Sequence, residues 1–383
     1  MTLVRQIALV IVLALCGLGR AEANPMLLVD MDNLDVLYAQ EAGQPWHPAS
    51  LTKLMTAYVA FEEIAAGRVS LDTPVVLSKH AINQAPSKSG LPIGSGLTMQ
   101  DALYVMLVKS ANDVAMAIAE TVGGSEAGFV AKMNDAASRM GLSATHYENP
   151  NGLHDPLQVT SARDLAVLSL YIRQNFPQYL PIFGTGTVVL DGKELDSENK
   201  LLSSFAGTTG MKTGFVCASG LNMVATVERG GRRMLAVVLG GQSARERNER
   251  TAELVLKGLS GAVQPTGRNV LTLGNNPGVP PVDMRAQICG KEAKAYAASQ
   301  QAAFPMGLKG QPSYLTDVVA SREYVATDLG RIAVGVSLPR PRPAHLPQFT
   351  APSTEAALDV ELRPSLATPG AIAPMPLPRP SSL

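Results

Sequence analysis

The sequence predicts an α+β fold: an antiparallel sheet built from both ends of the folded region, beside a helical cluster. Two observations carry the prediction. Strand-like patterning occurs near residue 26 and again between Met211 and Leu239, while the intervening stretches repeat apolar residues at helical spacing.

In chain order, Pro25 to Asp30 and Leu37-Tyr38 read as two strands joined through the turn residues Asp32-Asn33. Leu51, Leu54, Met55, Tyr58 and Val59 then recur at helical spacing. They predict a strongly amphipathic helix that begins after Pro48 and ends near Gly67. Thr98, with Asp101 three residues on, marks the start of a second helix carrying Leu103, Met106 and Leu107. A third is expected from about Ala111 to Val122, stopped by Gly123-Gly124, and a fourth from Ser125 to Met140. Further on, Leu221, Met223, Ala225 and Val227 alternate, Arg229-Gly230-Gly231 turns the chain, and Met234 to Leu239 is continuously apolar. That is a hairpin with a buried return strand. A helix from about Glu246 to Leu259 follows.

The chain ends read differently. Arg5, an apolar run from Ile7 to Leu15 and the small-x-small triplet Ala21-Glu22-Ala23 form a signal peptide. The run is too short to span a bilayer comfortably, and Leu15 is too bulky for a lipoprotein site at Cys16. Export to the periplasmic or cell-wall side and cleavage after Ala23 are expected. Residues 263–337 form a weakly patterned C-terminal extension. Residues 338–383 hold 11 of the 27 prolines, too many for a helix or an amphipathic anchor, so a disordered tail is expected. The folded segment between is residues 24–262, and the mature chain is expected to carry no transmembrane anchor.

Lys plus Arg equals Asp plus Glu, 32 against 32, which argues against the clustered positive charge of a nucleic-acid or polybasic membrane-surface protein. Two cysteines remain after cleavage, Cys217 and Cys289. An oxidising compartment permits a disulfide, and two buried thiols are the alternative.

Three short motifs carry chemistry: Ser50-Leu51-Thr52-Lys53, Ser110-Ala111-Asn112 and Lys212-Thr213-Gly214. A serine hydroxyl becomes a useful nucleophile when a neighbouring base takes its proton, and lysine serves once burial or nearby positive charge lowers its pKa. Ser50 and Lys53 lie one turn apart at the start of the first helix, on one face. Ser197-Glu198-Asn199-Lys200 matches the same pattern but opens no helical stripe, so Ser50 is preferred. Structural roles compete at each motif: a helix cap at Ser50, a capping box at Ser110-x-x-Asp113, a plain strand start at Lys212. An edge strand at Lys212-Thr213-Gly214 could pair with an extended peptide. Gly214 would then leave room for the peptide backbone.

In this order, the motifs resemble those of the penicillin-binding serine D-alanyl-D-alanine carboxypeptidases. Pro48 to Thr56 is similar to that family's nucleophile segment. Asn149-Pro150-Asn151-Gly152-Leu153, Ser161 to Ala166, and Met211 to Phe215 resemble further family segments, across roughly residues 25 to 262. The resemblance implies a β-lactamase/transpeptidase-like fold and removal of the terminal D-Ala from peptidoglycan pentapeptides through an acyl-serine. β-Lactams would be covalent inhibitors, with no cofactor and no metal. It implies Ser50 as nucleophile, Lys53 as proton acceptor and Ser110 as a proton relay, with Asn112 binding substrate. Lys212 and Thr213 would hold the terminal carboxylate. Backbone N–H groups of Ser50 and Phe215 would form the oxyanion hole. An arginine after the last hairpin also meets the carboxylate in this family: Arg247 fits best, with Arg245 and Arg250 close by.

The rival readings are a serine β-lactamase and a non-catalytic binder of cell-wall peptides. The lactamase needs a deacylating carboxylate. Glu148 stands at the wrong spacing for one, and Ala111 replaces the aspartate of the lactamase triplet. No nucleophile elbow or zinc-helix motif is present. His146 and His154 are separated by Pro150 and Gly152, so no single helix presents both.

Overall fold

The computed structural model describes residues 24–332. The signal segment and the proline-rich tail lie outside the described residues. The chain begins with β1 (Met26–Asp30) and β2 (Val36–Gln40), and a 3-10 turn over Ala49–Thr52 runs directly into α1 (Lys53–Ala65). Next come β3 (Pro74–Val76), α2 (Lys79–Ile82), β4 (Gly96–Thr98), α3 (Met99–Val108), α4 (Asn112–Gly123) and α5 (Glu126–Arg139). After a long loop follow α6 (Ala162–Asn175), α7 (Leu180–Phe183), β5 (Thr185–Leu190), β6 (Lys193–Asp196) and α8 (Leu201–Ser204). Then come β7 (Thr208–Val216), β8 (Gly220–Arg229), β9 (Arg232–Gly241) and α9 (Ala244–Leu259). The extension adds α10 (Arg285–Ile288), α11 (Ala293–Ala303) and β10 (Arg322–Ala326).

The main sheet has the order β2-β1-β9-β8-β7, with antiparallel neighbours throughout, so both ends of the segment do build it. Both faces are covered. Leu27 and Val29 of β1, with Leu235, Val237 and Leu239 of β9, face the helical cluster. Leu28, with Met234, Ala236 and Val238, packs under Ala252 and Val255 of α9. This double burial accounts for the unbroken apolar run in β9. The predicted caps also appear. Thr98 accepts the Asp101 N–H at 3.0 Å, Ser125 accepts that of Gly128, and Gly124 ends α4 with φ +70°.

Two local expectations differ. Rather than presenting one amphipathic face, α1 is buried on every side from Lys53 to Phe61, because α3, α4, α5 and α6 surround it. Lys212-Thr213-Gly214 lies in the middle of β7 instead of opening it, although β7 is the sheet's edge strand as expected.

Residues 263–332 belong to the same compact unit and wrap around it. Val36 N–H donates to Arg268 O at 2.9 Å beside β2, and Asn275 Nδ2 donates to Asp164 Oδ1 at 2.8 Å at the start of α6. Cys289 is disulfide-bonded to Cys217, which decides between the two thiol states the sequence leaves open. The ring of Phe304 lies 4.3 Å from the Arg250 guanidinium on α9, and the backbone N–H of Tyr314 donates to Glu249 Oε2 at 2.8 Å. β10 pairs in parallel with β5, in a second sheet of order β10-β5-β6. Leu329 and Ile332 then donate to Gly96 and Gly94 beside β4. Among the described residues no helix is long and apolar enough to cross a membrane.

Candidate active site

Ser50 sits in the 3-10 turn between Pro48 and α1 and borders a cavity of about 540 Å³. It caps no helix, since the turn shows no side-chain cap. One turn on, Lys53 is completely buried beneath it and does not reach the cavity itself. Its Nζ lies 3.0 Å from Ser50 Oγ, 2.7 Å from Asn112 Oδ1 and 2.5 Å from the Asn151 carbonyl oxygen. Burial first, and the neighbouring Lys212 charge second, hold its pKa well below the usual lysine value, against the opposing pull of Asp113.

The Asn149–Leu153 loop is stitched so that this carbonyl faces Lys53. Asn149 Oδ1 accepts the Gly152 N–H at 2.8 Å, and Thr56 Oγ1 donates to Pro150 O at 2.5 Å. Gly152, at φ +87°, approaches the nucleophile turn so closely that a Cβ there would lie 1.9 Å from Ala49 O.

The second wall is the turn before α4. Ser110 borders the cavity at φ +63°, outside the helix, so it forms no capping box. Its hydroxyl makes no hydrogen bond to another described residue, to Ser50 and Lys53 included. Asn112 donates through Nδ2 to Ala85 O at 2.9 Å and through its backbone to Ser87 O at 2.7 Å. Asp113 spends its carboxylate on Ser89, accepting from that residue's N–H and its hydroxyl. A segment over residues 85–89 thereby clamps the turn.

The third wall is β7. Thr213, Gly214 and half-exposed Phe215 border the cavity, whereas Lys212 is 3% exposed and lies under the floor, donating to Thr213 O at 3.0 Å. Burial and the Arg247 charge lower the Lys212 pKa to about 7, opposed by Glu198. Gly214 serves a different neighbour from the one expected. A Cβ there would meet Pro48 O and Ser50 N, each at 3.0 Å, so its missing side chain lets β7 cross the chain's own nucleophile turn.

Arg247, in the first turn of α9, borders the cavity and donates to Glu198 O at 2.9 Å. Arg245 turns instead to the carbonyls of Phe304 and Met306, and Arg250 pairs with Glu246. Of the three, Arg247 alone borders the cavity.

Four contributors receive no site role from the sequence, although Asn151 lies in a segment of the family resemblance and Asp113 in the capping-box alternative. Asn151 acts through a backbone carbonyl and Asp113 through a distant serine, while the 85–89 clamp has no periodicity; none of these leaves a compositional signal. Glu198, within the second serine-x-x-lysine match, borders the cavity. Glu148 instead accepts from His146 Nε2 at 2.9 Å and is not part of the cavity wall. His154 meets Arg285 rather than His146. Among the described residues no group of three or more His, Cys, Asp or Glu could hold a metal ion.

A serine over a buried lysine, in a cleft bordered by an edge strand, is the arrangement of a serine nucleophile with a lysine base that serine peptidases and acyltransferases use. The chain belongs to the D-alanyl-D-alanine carboxypeptidase family Peptidase_S11, whose profile matches residues 17–243. It is 33% identical over 241 residues to D-alanyl-D-alanine carboxypeptidase DacD of Salmonella typhimurium, covering 61% of this chain and 62% of that protein. Its identity to DacF of Bacillus subtilis is 31% over 239 residues, covering 61% of each. The chain thus spans about three fifths of the length of these curated relatives. Among solved structures, penicillin binding protein 6B from Escherichia coli superposes with TM-score 0.59 at 33% identity, over 62% of this chain and 77% of that one. Penicillin-Binding Protein D2 from Listeria monocytogenes, in its cefotaxime-bound form, gives 0.55 at 31% identity, over 62% and 97%. These neighbours carry the transpeptidase/β-lactamase-like fold.

Proposed function

We propose that the protein is a serine D-Ala-D-Ala carboxypeptidase that trims the terminal D-Ala from peptidoglycan stem pentapeptides. The observation that carries this reading is the buried Lys53 amine, held against Ser50 Oγ by Asn112 and Asn151.

Lys53 takes the Ser50 proton as Oγ attacks the carbonyl carbon of the penultimate D-Ala. The oxyanion is held by the backbone N–H groups of Ser50 and Phe215, donors worth roughly 3 kcal/mol each in such sites. The C–N bond breaks, the leaving D-Ala nitrogen gains a proton relayed through Ser110, and an acyl ester remains on Ser50. Water then attacks the ester, giving the tetrapeptide and free Ser50. Thr213 and Arg247 grip the terminal carboxylate from the cavity wall, and Lys212 adds positive charge from below. Asn112 positions both Lys53 and the substrate amide.

A β-lactam follows the same first step, but its amine stays tethered after ring opening, so the acyl ester lasts. The cefotaxime-bound Listeria neighbour supports this reading. The export signal and the Cys217–Cys289 disulfide support action on the periplasmic or cell-wall side.

The test incubates purified protein with a pentapeptide ending in D-Ala-D-Ala and, separately, with penicillin. D-Ala release with slow penicillin turnover is expected, and Ser50→Ala should abolish both release and labelling. Fast penicillin turnover without D-Ala release would replace this reading with a β-lactamase, and neither activity would leave a peptide binder.

A further inference from the structure

Among the described residues, α10 and its flanks join the extension to two elements around the cleft, through Cys217 in the cavity wall and through His154 next to Leu153. Cys289, directly after α10, is bonded to Cys217, which borders the cavity two residues beyond Phe215. Met284 donates its backbone N–H to Ala218 O at 3.0 Å. These two links hold the β7–β8 turn from outside, while Trp46 Nε1, donating to Ser219 O, holds it from within.

On the opposite side Arg285 Nη2 lies 3.2 Å from His154 Nε2, and the His154 ring packs edge-on against His47, centroids 4.8 Å apart. Asp283 fixes the arginine, accepting from its Nε at 3.0 Å. His154 belongs to the loop that carries Asn151 and Gly152, and His47 leads into the nucleophile turn. In its neutral form His154 accepts from the Arg285 guanidinium through Nε2. Burial, His47 and Arg285 all lower its pKa in keeping with that.

These contacts join two elements that the catalytic geometry must keep in register. One is the end of β7, an edge strand without an outer neighbour to brace it. The other is the loop aiming the Asn151 carbonyl at Lys53.

We propose that Asp283–Cys289 is a positioning clasp, setting the distance between the substrate-holding end of β7 and the Asn151 loop, and that opening its disulfide slows acylation of Ser50 while the domain stays folded. The inference rests on the acyl-serine reading above. A dithiol opens the bridge by exchange. Two electrons pass to the two sulfurs, each sulfur takes a proton, and the dithiol leaves as its own disulfide. In an oxidising compartment the clasp stays shut.

The experiment compares the oxidised full chain with dithiothreitol-reduced chain, with the Cys217→Ser/Cys289→Ser double variant, and with Arg285→Ala. Each is followed by penicillin acylation rate, labelling stoichiometry, kcat and KM for D-Ala release, and thermal melting. Displacements of about an ångström at a reacting centre cost up to roughly 100-fold. The reduced chain and the double variant are therefore expected to acylate about 10- to 100-fold more slowly, still taking one penicillin per chain, with melting above the assay temperature. Arg285→Ala, which keeps the bridge, is expected to slow acylation by several-fold, and it decides the matter if the double variant does not fold. A lower melting temperature with unchanged acylation would mean a merely structural bridge and overturn the clasp, as would unfolding on reduction. Failure of the oxidised chain to take penicillin would instead overturn the acyl-serine reading itself.

Discussion

Lys53 Nζ lies 3.0 Å from Ser50 Oγ while two other acceptors, Asn112 Oδ1 and Asn151 O, stand at 2.7 and 2.5 Å. A neutral amine has two hydrogens and one lone pair. In that state the hydrogens can satisfy the two carbonyl oxygens and leave the lone pair to accept from the Ser50 hydroxyl, whereas an ammonium donates to all three oxygens. An ammonium would place a third hydrogen there and cancel the base. The two carbonyl oxygens thus set the orientation in which a neutral Lys53 can act as base, and burial, which lowers its pKa, favours that neutral form.

The first prediction tests that arrangement. Asn112→Asp puts a carboxylate in place of a neutral acceptor, which raises the Lys53 pKa and favours the ammonium. Acylation by penicillin is expected to fall at least about tenfold at neutral pH, since each unit by which the base pKa exceeds the assay pH costs tenfold. The acid limb of the rate–pH profile is expected to move upward by at least about one unit. An unchanged limb with a lowered rate would mean that Asn112 acts on substrate alone.

Lys212 supports a stability prediction with a definite sign. Its pKa falls from 10.5 unfolded to about 7 folded, so the folded state binds this proton more weakly than the unfolded chain does. The resulting penalty is fully present below pH 7 and fades as pH rises toward 10.5. Lys212→Met removes it. At about 1.4 kcal/mol per unit, the variant is expected to gain up to about 4 kcal/mol near pH 7 and almost nothing at pH 10, measured by denaturant unfolding. The same change should raise KM for a substrate with a free terminal carboxylate, the stability–function conflict seen where a buried charge serves binding.

These charges also mark how much of the site was readable beforehand. The Ser50–Lys53 pair was legible because spacing along one helical turn fixes proximity. The sheet was legible because period-two patterning survives in β8, and caps such as Thr98 and Ser125 need only local chemistry. Asn151 was not, because any residue can offer a carbonyl and its aim depends on hydrogen bonds from Asn149 and Thr56. Asp113 was read as a local cap, yet its partner is Ser89, which lies 24 residues away along the chain. The extension looked featureless because backbone bonds such as Met284 to Ala218 and polar contacts such as Tyr314 to Glu249 hold it in place. Helix α11 buries no residue at all, so no apolar stripe was there to find.

Gly152 makes a prediction about close approach. Gly152→Ala would put a methyl group 1.9 Å from Ala49 O and keep φ at +87°, so the loop or the nucleophile turn must move. Gly192, at φ +74° with nothing within 4 Å, supplies the control. Gly192→Ala bears only the backbone strain, about 1 kcal/mol, and should leave acylation unchanged. Gly152→Ala is expected to cost about 3 kcal/mol or more in unfolding free energy and to lower acylation at least tenfold, as Asn151 is carried away from Lys53. Equal behaviour of the two variants would refute the contact.

Three neighbouring arginines on α9 should separate by assay. Arg247 borders the cavity, burial lowers its pKa to about 10, and its guanidinium donates to the neutral oxygens of Asn248 and Glu198 O rather than to a carboxylate. Arg247→Ala is expected to raise KM for the pentapeptide about 10- to 100-fold, the loss of one charge-assisted hydrogen-bonded contact. Arg245 donates to two carbonyls of the extension, and Arg250 stacks on Phe304 and pairs with Glu246. Their alanine variants are expected to lower the melting temperature by a few degrees with KM unchanged. Their partners are structural, so the loss falls on stability alone. A KM effect at Arg245 equal to that at Arg247 would show that the carboxylate is not held by the arginine of the cavity wall alone.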